Sequence, residues 1–209
     1  SGLDRLSSWV PGDLDLWVIQ REELSPLGYA ELWIRDGGTT PRDAAFTPLL
    51  TAWLDDFTAR GVTAVGFGYI LVRRPAADGV PLRRLERVTQ PVSNVGAALR
   101  AGLAAHDVLA TGLPATLLVA PDVTEARHLL PGNDDPSIIE LRQGGGFART
   151  ITVDPALAGF VGACDGDLTV VQIVSALADL FEVPLVELWA DLEPRIRQLV
   201  LDGLLVPGE

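Results

Sequence analysis

Arg73, Arg74, Arg83, Arg84 and Arg87 gather five of the chain's 16 basic residues into fifteen positions. They form its only basic concentration, in a protein of net charge −12. Guanidinium forks at that density suit phosphate oxygens, so these five are the candidate phosphate contacts. The same pattern also serves as solvated linker charge or as a contact for an acidic segment. Farther on, Arg142, Phe147 and Arg149 flank Gly144-Gly145-Gly146. Successive backbone N–H groups in such a run can hold an anion, although a flexible hairpin turn is the plainer reading.

The remaining reactive side chains are few. His106 and His128 are the only histidines, and neither has Cys, His or Glu nearby at ligand spacing, so no metal site is expected. A Ser-His-Asp set lacks any nucleophile-elbow sequence to support it. Cys164, the single cysteine, sits on an apolar helix-like stretch and reads as a core residue; it has no disulfide partner in the chain. No catalytic residue and no cofactor-binding residue is assigned.

Elements that would position these residues can be read from spacing. Residues 14–22 carry large apolar side chains on both faces, the mark of a mostly buried strand. Pro26 to Asp36 is helix-like, with Leu27, Ala30 and Ile34 on one stripe and Gly37-Gly38 as the stop. Thr47-Pro48 predicts a second helix start, closed by Gly61. Residues 64–74 form a strand with Gly66 and Gly68 on one face, where another group approaches the backbone closely. Arg73 to Gly79 reads as a boundary, and Leu82 to Gln90 as a strand beyond it.

A helix over 94–110 is expected to start at Asn94 and end at Gly112. Residues 137–143 and 147–153 form a β-hairpin around the three glycines. Asp154-Pro155 starts a helix through Cys164, and Thr169 with Gln172 makes a capping box for another over 170–181. Pro184 starts a third helix, Pro194 starts or kinks a fourth, and Leu204 to Val206 is a short strand. Hairpin, helices and closing strand in this order are winged-helix-like.

Three stretches, LDLWVIQREELSPLGYAELWIRDGG, WLDDFTARGVTAVGFGYILVRR and DPALAGFVGACDGDLTVVQIVSALADLF, together resemble a bacterial family of class I S-adenosylmethionine-dependent methyltransferases with an appended C-terminal region. The resemblance implies an α/β (α+β) chain: edge strands and helices of a Rossmann-like sheet, then a winged-helix-like α+β module. Residues 1–78 would be the C-terminal remnant of the Rossmann-like domain, and residues 79–209 an accessory domain ending in the winged-helix-like module over 154–209. Residues 3–9 would be the tail of a preceding helix. Residues 14–22 and 64–73 would be the last two strands, antiparallel to each other, although strand–helix–strand usually gives a parallel crossover.

The family's glycine-rich donor loop and its Asn-Pro-Pro-aromatic motif are not found in these residues; Asn94 is followed by Val and Asn133 by Asp. With no Met anywhere in the sequence, the expectation is a C-terminal segment that is inert alone. Its S-adenosylmethionine would be held by the full-length protein. The expected partner is the missing N-terminal half, or another chain covering the sheet edge near 14–22 and 64–73. Protein or RNA remains open as the substrate. The alternative is a non-enzymatic protein-interaction domain.

Charge and hydropathy exclude other classes. No apolar run approaches the length of a membrane span, and a cytoplasmic location is expected. Residues 163–209 hold nine acids against Arg195 and Arg197, a balance of −7. A recognition helix bearing Glu187 and Asp191 would repel phosphate, so duplex DNA is not an expected partner.

Overall fold

The structure, a computed structural model, describes residues 2–75 and 79–208. Ala76 to Asp78, in the stretch read as a boundary, lie outside the described residues, as do Ser1 and Glu209. Among the described residues the protein is a mixed α+β chain of seven helices and three three-stranded sheets. It divides into two compact units, Ser1–Thr89 and Gln90–Glu209.

The first unit runs α1 (Gly2–Trp9), β1 (Asp15–Leu24), α2 (Pro26–Asp36), α3 (Phe46–Ala59), β2 (Val65–Arg73) and β3 (Arg83–Arg87). Its sheet has the order β2-β1-β3. Leu16, Trp17, Val18 and Ile19 are consecutive and all buried, as expected of a strand covered on both faces. β1 pairs antiparallel with β2 and parallel with β3. Two helices separate β1 from β2, and that number decides the direction. Tyr29, near the start of α2, meets Trp53 and Phe57 towards the end of α3, the contact of antiparallel helices. The chain therefore reverses once more than in a one-helix crossover, and β2 returns antiparallel.

Several expectations change here. β1 is central, with β3 along its second edge, so only β2 of the two expected edge strands is free. β3 belongs with β1, so the units divide after it, between Thr89 and Gln90, whereas the sequence reading placed the boundary at 78/79. The α3 helix begins at Phe46, ahead of Thr47, and its N-cap Ala45 makes no side-chain bond. The turn before it is held instead by Asp43, whose carboxylate accepts from the Thr40 N–H at 2.6 Å and the Thr40 hydroxyl at 2.8 Å.

The second unit runs α4 (Val95–Thr111), β4 (Thr116–Val119), β5 (Val123–Leu129), β6 (Pro136–Gln143), β7 (Thr150–Val153), α5 (Pro155–Gly162), β8 (Asp165–Thr169), α6 (Val170–Phe181), α7 (Leu185–Asp202) and β9 (Leu205–Pro207). The expected hairpin is present as β6–β7 and gains β5 to make an antiparallel β5-β6-β7 sheet. A second antiparallel sheet, β8-β4-β9, draws its strands from widely separated parts of the chain. One core joins both sheets to α5, α6 and α7 through Leu117, Leu141, Phe160, Val174, Leu192 and Ile196.

Local capping is as read at two sites. Asp154 accepts from Leu157 N–H at 2.8 Å, and the Thr169–Gln172 box is closed in both directions. Asn94 differs: it adopts a left-handed backbone (φ 47°) and caps through no side-chain bond. Leu185–Asp202 is a single helix, not two divided at Pro194. Leu188, Leu192, Ile196 and Leu199 form an unbroken buried stripe across the proline, and that burial outweighs the lost hydrogen bond.

Candidate functional site

The five arginines belong to the first unit, and four of them make contacts within it. Asp15 is fully buried; its carboxylate accepts from Arg73 Nε at 2.6 Å and from the Leu82 N–H at 2.7 Å. Arg84 lies 5.0 Å over the Trp17 ring and pairs with Glu86 at 3.1 Å, while Trp17 Nε1 donates to the same carboxylate at 2.6 Å. Arg83 donates to the carbonyls of Val10 and Pro11, both at 2.9 Å. Arg87 meets Glu23 at 3.2 Å. Arg74 is exposed. Four of the five thus have partners within the protein, and Arg74, Arg83 and Arg87 are the exposed members.

The three-glycine turn is occupied by the protein itself. Gly144 N–H donates to the Asp122 carbonyl and Gly145 N–H to the Asp122 carboxylate, both at 2.8 Å. An aspartate thus sits where an external anion would bind. Arg142 is paired with Glu140 at 2.6 Å, and Arg149 with Asp202 at 3.2 Å. Phe147 is buried, with Arg149 stacked at 5.1 Å from its ring. Asp122 lies more than twenty residues upstream, and no local spacing marks it.

The lone thiol and the histidines are similarly placed. Cys164 is buried and donates to the Phe160 carbonyl at 3.2 Å. Burial, with the Asp165 charge beside it, pushes its thiol up to about 12, so it stays protonated and unreactive at neutral pH. His128 meets Glu140 at 3.1 Å on the surface. Glu140 is held below the usual carboxylate range by hydrogen bonds from Arg142 and His128. Among the described residues, no group of three or more His, Cys, Asp or Glu side chains could hold a metal ion. No helix among the described residues is long and apolar enough to cross a membrane.

The first unit also carries a cleft of about 1080 Å³, which opens beside α1 and β2. Tyr29 anchors its aromatic wall, with ring centroids 5.7 Å from Trp53, 5.9 Å from Phe57 and 5.8 Å from Phe67. Gln20, Glu23 and Arg87 supply a polar side, linked by bonds of 2.9 Å and 3.2 Å to the Glu23 carboxylate. Beside it, β2 is the outer strand of its sheet, with Ile70 56% and Val72 48% exposed.

Gly66 and Gly68 do not make a cofactor loop. They lie inside β2, and a Cβ on Gly68 would stand 1.9 Å from the Ile19 carbonyl oxygen. The close approach expected at these glycines is the neighbouring strand. S-adenosylmethionine therefore has no fitting cradle in them. Comparison with known proteins returns no matching family model, no matching curated protein and no matching solved structure.

Proposed function

We propose that this chain is the C-terminal segment of a class I S-adenosylmethionine-dependent methyltransferase, in which β2 continues the sheet of the catalytic half. The observation that carries the reading is the free edge of β2. It is nine residues long, exposes Tyr69, Ile70 and Val72, and has no Lys or Pro to discourage pairing. Its antiparallel pairing with β1 agrees with the order that the sequence resemblance implies. In this role the Rossmann-like sheet is shared, the donor is held by the catalytic half, and the second unit, read as a winged-helix-like module, supports substrate positioning.

Two measurements on the isolated chain test the proposal. Calorimetric titration with S-adenosylmethionine should show no saturable binding; micromolar binding would place a donor site in this chain and overturn it. Hydrogen exchange should find the outward amides of 65–73 unprotected alone and slowed when a catalytic half of the same methyltransferase branch is co-expressed. Amides already protected in a monomeric sample, with no change on co-expression, favour the non-enzymatic interaction domain.

A further inference from the structure

In the second unit, the turn from α6 into α7 is built unlike the rest of that unit's surface. Nine consecutive residues, Asp179 to Glu187, are all exposed. Five of them are large and apolar: Leu180, Phe181, Val183, Leu185 and Val186. Leu180 is 72% exposed and Val186 80%. The helices on either side spend their inward positions on the core, Leu177 and Ala178 before the run and Leu188 and Leu192 after it. The exposed side chains are thus surplus to folding, and clustered apolar exposure of this kind marks a binding surface.

Charge selects the occupant. Asp179, Glu182 and Glu187 rim the run, and it contains no basic residue. The nearest bases along α7 are already engaged: Arg195 with Asp154 and Asp191, both at 2.7 Å, and Arg197 with Glu193 at 3.0 Å. An anionic membrane or a nucleic acid would meet the wrong sign. A second copy of the same surface would set the three carboxylates against their own kind. Glu182 adds a separate clue. It is the C-cap of α6 with a left-handed backbone (φ 55°), a position where glycine is the ordinary choice. A carboxylate stands there in place of the residue that suits the backbone.

We infer that the α6–α7 turn is a docking surface for a basic amphipathic segment of another protein. Its apolar stripe would cover Leu180, Val183 and Val186, and its lysines or arginines would face Asp179, Glu182 and Glu187. This reading stands apart from the methyltransferase proposal, since it uses different residues in the other unit.

The test uses the full chain and a fluorescein-labelled peptide of about 18 residues, with leucine and lysine at helical spacing. Fluorescence anisotropy is read at about 50 mM and about 150 mM salt. The wild type is expected to bind, more weakly at the higher salt. Leu180→Ser with Val186→Ser should weaken binding about tenfold or more. Glu182→Gly should weaken it severalfold while its thermal midpoint rises or stays level, an outcome that a purely structural Glu182 does not produce. Asp134→Ser with Asp135→Ser, on an exposed acidic loop, is the control and should bind as wild type. Four results overturn the inference: no wild-type binding at about 100 μM, equal loss in the control, unchanged affinity in the serine double variant, or self-association that this double variant abolishes.

Discussion

Gly68→Ala is the sharpest test of how the first unit is assembled. The two glycines of β2 look equivalent in sequence but face different neighbours. A Cβ at position 68 would lie 1.9 Å from the Ile19 carbonyl oxygen and 3.0 Å from Gln20 Cα, both backbone atoms. The pairing is irregular there, shifting between Gln20 and Glu22, which brings β1 unusually close. To restore contact, the strands must separate by about 1 Å. Overpacking typically costs 1–3 kcal/mol, and a weakened ladder bond adds roughly 1 kcal/mol, so about 3 kcal/mol is expected. At position 66 the nearest atoms belong to the Gln20 side chain, at 3.3 Å. That chain can swing aside, and alanine suits a strand better than glycine, so Gly66→Ala should stay within about 1 kcal/mol. Urea unfolding followed by tryptophan emission reads this unit well, because Trp9, Trp17, Trp33 and Trp53 lie in it and only Trp189 does not. With a slope near 1 kcal/mol/M for a unit of this size, the Gly68→Ala midpoint should fall by roughly 3 M. A shift below about 0.5 M, or a greater loss at position 66, would refute the strand register.

Arg73→Ala should cost roughly 3–5 kcal/mol in the same assay, since it strips the charged partner from a fully buried Asp15 and leaves it the Leu82 N–H; a loss under about 1 kcal/mol would mean that water reaches the carboxylate. In the second unit, Leu177→Ala should cost about 2–5 kcal/mol by thermal or urea unfolding, and a surface-like change would remove α6 from the core. Native Cys164 should resist a thiol-reactive dye at about pH 8 and react only as the second unit unfolds; rapid native labelling would contradict its burial. Burial raises the Asp154 carboxyl, but the Arg195 contact and the Leu157 N–H outweigh it and hold it below the ordinary range. Its folded value is thus the lower one, so its stabilisation is complete above the ordinary carboxylate range and fades as pH falls through the folded value. The midpoint gap between wild type and Asp154→Ala should therefore be widest near neutrality and close towards about pH 2, and a gap independent of pH would count against the Arg195 contact.

Much of the local structure was legible because its causes are local. The apolar run of 14–22, the stripe from Pro26, Asp154-Pro155 and the Thr169–Gln172 box each act within a few residues, and each element appears close to where they place it. Acidity in 163–209 and the scarcity of reactive side chains are likewise properties of the sequence itself. Tertiary structure decided the rest. β4 and β8 are only four and five residues long and take their identity from partners far along the chain, so no periodicity announces them. β3, Arg83–Arg87, lies within the 82–90 stretch read as a strand, but its parallel place beside β1 is set only by the fold. Pro194 stays inside a helix because a buried stripe spans it. The arginine cluster was visible by count, but Asp15 and Glu23 hold Arg73 and Arg87 across 58 and 64 residues of chain, separations that only folding closes. In the same way, Leu180 continues the helical spacing of Leu177, and only the packed structure turns it outward. Sequence carries what a residue can do with its neighbours in the chain; burial and long-range pairing, which depend on every other element at once, determine which of those capacities are left free to meet another molecule.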